Sequence, residues 1–267
     1  MTPDPAPTQD TPPRELASRL RRLRDRMAEA AGRADRSVDD IRLVAVTKTH
    51  PVDVIRRCLA LGIRDVGENK VQEAVGKIET LAAEGMEGPG HGHAAGDIRA
   101  GAMRYHLIGH LQTNKARQAV RHFDLIHSMD SLKLAEEIDA MALKHARSTA
   151  SVLMQINVSG EDTKGGFEPG NAAAGLETIL REHPHLRVEG FMTMAPYSDD
   201  PESSRPVFKA LASLARRLRM TFADEVNFPG RELSMGMTGD FETAIEEGAT
   251  IIRVGSALFG ERGTTEG

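Results

Sequence analysis

Residues 41–68 read IRLVAVTKTHPVDVIRRCLALGIRDVGE. The run IRLVAVTK (41–48) is short, β-branched and apolar almost to its end, and it stops before Pro51. It predicts a buried strand of a parallel sheet. Residues 52–61 predict a helix, and IRDVGE (63–68) a second strand. The same rhythm runs outward in both directions. Towards the N-terminus, residues 13–32 predict a helix, with Leu16, Leu20, Leu23 and Met27 on its apolar stripe. Towards the C-terminus, strands are predicted at RYHLIGH (104–110), FDLIHSM (123–129), ASVLMQINV (150–158), LRVEGFMTM (186–194), RELSM (231–235) and TIIRVGS (250–256). Helices are predicted at 70–84, 112–121 and 131–145, after Pro169, over 202–219, after Asp240, and in the ALFG turn. Ser131 and Asp240 stand where N-caps belong.

Eight strands alternating with helices call for a parallel sheet, and closure into a (β/α)₈ barrel is the natural solution at that count. The 267 residues suit one such domain, which needs about 250. Length alone would also allow two ordinary domains. An open doubly wound sheet is the structural alternative, but no Gly-rich fingerprint follows the first strand. The expected layout is therefore a proline-rich, disordered leader over 1–12, a barrel over 13–262 with one extra N-terminal helix, and a tail over 263–267. Within the barrel, residues 84–101 (EGMEGPGHGHAAGDIRAG) lack periodicity and predict a flexible surface insertion. His91 and His93 lie there without a Cys or carboxylate to complete a metal set.

The net charge of −5 argues against a general nucleic-acid binder. Arg14, Arg19, Arg21, Arg22, Arg24 and Arg26 form the basic face of the first helix, read as a solvated face. Cys58 is the sole cysteine, so no intrachain disulfide can form, which suits a reducing cytoplasm. It sits on the apolar side of its helix and reads as structural. No apolar run reaches the length of a membrane span, and the leader has no apolar segment of the signal-peptide kind.

In such barrels chemistry gathers at the C-terminal ends of the strands. Strand alternation places Val44, Val46 and Lys48 on one face. If that face is the interior, the Lys48 amine stands at the mouth, where partial burial disfavours its charged form, as a Schiff-base lysine requires. It reads equally as a lysine that merely ends a strand. At the C-terminal ends of the seventh and eighth strands and the loops that follow stand Ser234, Gly236, Arg253, Gly255 and Ser256. These loops form the usual phosphate site of a barrel; alternatively Gly236 and Gly255 serve tight turns only. The first and last strands meet at the closing seam. A ligand with an aldehyde at one end and a phosphate at the other would bridge them. Pyridoxal 5′-phosphate has that shape, and Arg253 would then face its ring nitrogen, keeping it unprotonated and weakening the electron sink.

The stretches LVAVTKTHP (43–51), GENKVQEA (67–74), YHLIGHLQTNKAR (105–117), SMDSLKLAEEI (128–138), QINVSGEDTKGGF (155–167), VEGFMTMAPYSDD (188–200), ELSMGMTGDFETAI (232–245) and IRVGSALFGER (252–262) together resemble the pyridoxal phosphate homeostasis proteins, whose barrel is similar to the N-terminal domain of alanine racemase. The resemblance implies that Lys48 forms an aldimine with pyridoxal 5′-phosphate. It also implies that Asn69 lies beside the cofactor, that Ser234, Gly255 and Ser256 hold the phosphate, and that Arg253 approaches the pyridine nitrogen. His110, Gln112 and Asn114 are carried over only as residues lining the mouth. Tyr105 replaces a usual Trp, Lys70 a common aromatic or Arg, and Thr238 a common Ser. The 84–101 insertion is longer than the family's pattern.

Two function classes follow. One is a non-catalytic, cytoplasmic, monomeric carrier that buffers pyridoxal phosphate and related B6 vitamers and hands the cofactor transiently to apo-enzymes. The other is an amino-acid racemase of the alanine racemase type. The racemase needs a second base, a tyrosine from a β-rich domain for which this chain leaves no room. The tyrosines here are Tyr105 and Tyr197, both inside barrel units. A sugar-phosphate barrel with Lys48 as an aldolase-type base is a third, weaker reading.

Overall fold

The computed structural model describes residues 13–86, 103–145, 149–161 and 165–260. The leader, residues 87–101 of the insertion with His91 and His93, and the tail lie outside them.

Eight parallel strands close into a barrel in sequence order, and the eighth pairs with the first. They are β1 (Arg42–Val46), β2 (Asp65–Glu68), β3 (Arg104–Leu107), β4 (Leu125–Met129), β5 (Ala150–Gln155), β6 (Leu186–Met192), β7 (Glu232–Ser234) and β8 (Ile251–Val254). Outside them pack α2 (Val52–Ala60), α3 (Val71–Ala83), α4 (Ala116–His122), α5 (Leu132–Lys144), α6 (Ala172–Glu182), α7 (Arg205–Thr221), α8 (Phe241–Glu246) and α9 (Ser256–Phe259). The strands are shorter than the apolar runs that announce them, because ladder pairing stops where the chain turns into the loops. Ser131 caps α5 as expected, its side chain accepting from the Leu134 N–H.

Alternation along the strands divides the apolar residues into two cores. Ala45, Val66, Tyr105, Leu107, Ile126, Val188, Leu233, Ile252 and Val254 face the helices. Val44, Leu125, Leu153, Met192 and Ile251 meet inside the barrel. The rest of the interior is polar: Asp65, His106, His127, Ser234 and Arg253 are buried there.

The extra helix, α1 (Pro13–Arg33), lies across α8 and α9. Leu16, Leu20, Leu23 and Met27 are buried beneath it. Burying four such side chains contributes about 6–12 kcal/mol before chain entropy is subtracted. Its basic face is largely exposed, but not wholly idle. Arg26 pairs in a fork with Glu242 at 2.8 and 2.9 Å, and Arg33 reaches Glu246 at 2.6 Å. Cys58 is fully buried, and burial pushes its thiol up to about 12, so it is inert.

Asp240 does not cap α8 with its side chain. Its carboxylate turns back to accept from the Met237 N–H (2.7 Å) and the Ser204 hydroxyl (3.0 Å). It ties the loop after β7 to the start of the α7 segment.

Candidate functional site

The register across the seam sets the site. Val44 stands opposite Arg253 and Ala45 opposite Val254, so the chain just beyond β1 runs beside the chain just beyond β8. A cavity of about 290 Å³ opens there, lined among others by Val46, Lys48, Thr238, Arg253, Gly255 and Ser256. That is close to the lower end, ~300 Å³, of ordinary small-molecule sites. Lys48 thus follows Val44 and Val46 onto the inner face, as alternation predicts.

The backbone that carries Lys48 is clamped on both sides. Thr47 points outward, fully buried, and its hydroxyl donates to Glu68 Oε1 at 2.6 Å. Lys77 Nζ donates to the Thr47 carbonyl (2.8 Å), to Glu68 (2.8 Å) and to Glu73 (2.7 Å). Glu73 also accepts from the Thr49 N–H at 2.5 Å. Thr49 holds a left-handed backbone, φ 66°, which turns the chain away directly after Lys48. Such a conformation costs a β-branched residue of order 1–3 kcal/mol and persists only where the surroundings enforce it. The partly buried network of Glu68, Lys77 and Glu73 is that enforcement.

Arg253 forms part of the cavity lining and is otherwise buried. It donates to the Ser234 hydroxyl and to the Thr193 carbonyl, the latter at 3.1 Å. Burial pulls its guanidinium down to about 10, so it remains a cation at neutral pH. Ser234 itself is fully buried and does not line the cavity. It lies on the inward side of β7, with its hydroxyl held by Arg253 and His127. The cavity wall from this loop is instead Met237, Thr238, Gly239 and Asp240.

The two glycines differ in what their surroundings demand. Gly236 has φ +90°, and a Cβ there would stand 2.5 Å from Ala244 Cβ; it serves the turn and the packing of α8. Gly255 has an ordinary φ of −115°. A Cβ there would meet only Val46, at 3.5 Å, on the cavity side. The protein's own packing does not require a glycine at 255.

Asn69 is half-buried at the end of β2, with its backbone against Gly109, and is not among the cavity's lining residues. His110, Gln112 and Asn114 are exposed and stand away from it; His110 pairs with Asp130 at 3.1 Å. Sequence reasoning missed His50, Tyr197 and Ser198 on the rim, since they sit in loops without pattern. It also missed His106 and His127, although each stands at an inward position of an apolar strand.

The whole barrel has known counterparts. Residues 18–263 match the family described as alanine racemase, N-terminal domain. The pyridoxal phosphate homeostasis protein of Aquifex aeolicus is 42% identical over 244 residues, covering 91% of this chain and 97% of that protein. The chain belongs to the pyridoxal phosphate homeostasis protein family. The Escherichia coli K12 member is 34% identical over 250 residues, covering 93% of this chain and 97% of its own. Among solved structures, PipY of Synechococcus elongatus, solved with PLP bound, is 33% identical. It superposes with a TM-score of 0.72, covering 92% of this chain and all of PipY. Alanine racemase of Clostridium difficile shares the fold at 13% identity and a TM-score of 0.66, and this chain spans 58% of it.

The chemistry of the cavity fits the group the family name implies. One primary amine, one cationic guanidinium and a glycine that leaves a cradle at the seam are what an aldehyde, a pyridine nitrogen and a phosphate need. Among the described residues no group of His, Cys, Asp and Glu side chains could hold a metal ion, and no helix is long and apolar enough to cross a membrane.

Proposed function

We propose that this protein binds pyridoxal 5′-phosphate as a Schiff base on Lys48 and acts in B6 homeostasis without turning over amino acids. The observation that carries the reading is that Lys48, Arg253, Gly255 and Ser256 line one cavity at the seam of β1 and β8. In this arrangement Lys48 would supply the amine that condenses with the aldehyde, releasing water, and Gly255 and Ser256 would hold the phosphate. Arg253, a cation with no acceptor, faces the ring nitrogen and keeps it unprotonated. Ser234 then acts through Arg253, and Asn69 supports the β2 side of the mouth without touching the cavity. Gly236 shapes the loop and does not contact the phosphate. The carrier works in the cytoplasm as a monomer. It exchanges pyridoxal phosphate and other vitamers with solution and transiently with apo-enzymes.

The racemase reading asks for a second base opposite Lys48. Tyr105 is buried on the helix side of β3. Tyr197 stands on the cavity rim at 92% exposure, bonded to Asp199 at 3.1 Å. The test is to reduce the loaded protein with borohydride, map the modified peptide, and incubate a parallel sample with L-alanine and other amino acids. Label on Lys48 with no D-amino acid formed is the expected result. Inversion of an amino acid that disappears in Tyr197→Phe would replace the carrier with the racemase.

The glycines give a second check. Gly255→Ala should leave the unfolding free energy from urea titration within about 1 kcal/mol of wild type. It should weaken pyridoxal phosphate binding by about tenfold or more, because a methyl group enters the cradle. Gly236→Ala should cost about 2–4 kcal/mol of stability, from positive φ plus overpacking against α8. Equal affinity in Gly255→Ala and wild type would remove the phosphate from that position.

A further inference from the structure

One hydrogen-bonded chain crosses the barrel interior from the cavity to the opposite end. Arg253 donates to the Ser234 hydroxyl. Ser234 lies 2.9 Å from His127 Nδ1, His127 Nε2 lies 2.9 Å from His106 Nδ1, and His106 Nε2 lies 2.8 Å from Asp65 Oδ1. Arg104 holds the same carboxylate in a fork. Asp65 and Arg104 line a second cavity, of about 750 Å³, at the N-terminal end of the strands. The chain draws on β8, β7, β4, β3 and β2, and all five members are buried.

Donor and acceptor chemistry leaves this chain a single direction. A carboxylate only accepts, so His106 carries its proton on Nε2. Burial keeps both imidazoles neutral, outweighing the pull of Asp65 on His106. His106 Nδ1 therefore accepts, His127 Nε2 donates, and His127 Nδ1 accepts from the Ser234 hydroxyl. The Ser234 oxygen is then turned towards Arg253, which can only donate. Every bond points from the buried cation to the buried anion.

We infer that His127 is a positioning residue for the cofactor ring: through Ser234, and backed by His106 and Asp65, it fixes the plane of the Arg253 guanidinium that faces the ring nitrogen. This rests on the proposed pyridoxal phosphate site. A residue that holds a ligand-binding group in place through a hydrogen bond is worth roughly 10–100-fold where it has been measured at metal sites. Loss of His127 also leaves the buried Ser234 O–H and the buried His106 Nδ1 each one partner short.

The test uses the full chain loaded with pyridoxal phosphate carrying ¹⁵N in its ring. Wild type, His127→Ala, His127→Gln and Asp65→Asn are compared by the ring-nitrogen chemical shift, by the affinity for the cofactor, and by circular dichroism. Gln keeps one donor and one acceptor, so His127→Gln should recover most of what His127→Ala loses. The expected result for His127→Ala is an intact fold, a changed ring-nitrogen shift, and an affinity lower by about tenfold. Asp65→Asn, at the opposite end of the hydrogen-bonded chain from Arg253, should move the shift in the same sense. A merely structural role would lower stability and leave the ring-nitrogen shift where it was. If Lys48 is labelled by borohydride but His127→Ala keeps the wild-type shift and affinity, the positioning role is overturned and the site stands. Absence of label on Lys48 in wild type removes both.

Discussion

Lys48→Ala should abolish the visible absorption of the loaded protein and all borohydride-stable label, with the fold unchanged. The side chain is half-buried at a cavity wall, and its removal creates no closed void in the core, so the stability cost should stay below about 1 kcal/mol. The affinity for pyridoxal phosphate should fall at least about a hundredfold, equivalent to about 2.7 kcal/mol, because ring and phosphate contacts remain while the covalent bond does not. Among the described residues, no other lysine lines the cavity. Lys77 is held by two carboxylates and the Thr47 carbonyl, and its ammonium is committed as a donor. Lys70 is exposed after β2 and is absent from the cavity wall. The measurement is absorbance and intact mass after reduction. Persistence of a stoichiometric label in Lys48→Ala would show that the amine had been assigned to the wrong residue.

Acid should unfold this protein earlier and more steeply than its surface carboxylates alone would. His106 and His127 are neutral in the fold, each pushed down first by burial. The charged groups that face them are Asp65 on β2, Arg42 and Arg104 at the strand starts, and Arg253 on β8. In the unfolded chain each imidazole takes up a proton near pH 6.5. The unfolded state therefore binds more protons, and stability falls as pH drops below that value. Two such groups give a slope approaching about 2–3 kcal/mol per pH unit. Asp65 works in the same direction at lower pH. Burial raises it, but bonds from His106 and Arg104 outweigh burial and hold it at about 2. Its contribution is present above about pH 4 and is lost as pH falls towards 2. Urea midpoints measured from neutral pH down to pH ~5 should show the slope, and His127→Gln should reduce it by about half. A flat profile across that range would mean that the two histidines are solvated or already charged in the fold.

The reading of the chain as alternating strands and helices held because each strand is an apolar run with turn residues at its ends. Val44, Val46 and Lys48 could be placed on one face from period-two alternation alone, and the seam between β1 and β8 follows once eight strands close. Legibility ended at loops and layers. Ser234 read as a phosphate donor at the end of the seventh strand, yet its side chain turns inward, away from the cavity wall. Asp240 read as a helix cap, yet its carboxylate binds Met237 and Ser204. In both places the tertiary surroundings offered a closer partner than the local rule assumed.

The sequence by itself determined the order of elements, the face on which Lys48 stands, the glycine-bearing loops after β7 and β8, and the family. Only the closed barrel decided which inward side chains share a layer. Asp65 and His106 are 41 residues apart, and His127 and Ser234 are 107 apart. Alternation tells which side of a strand a residue faces, but the height at which it meets residues from other strands is set by the register and tilt of the barrel, which no local pattern encodes.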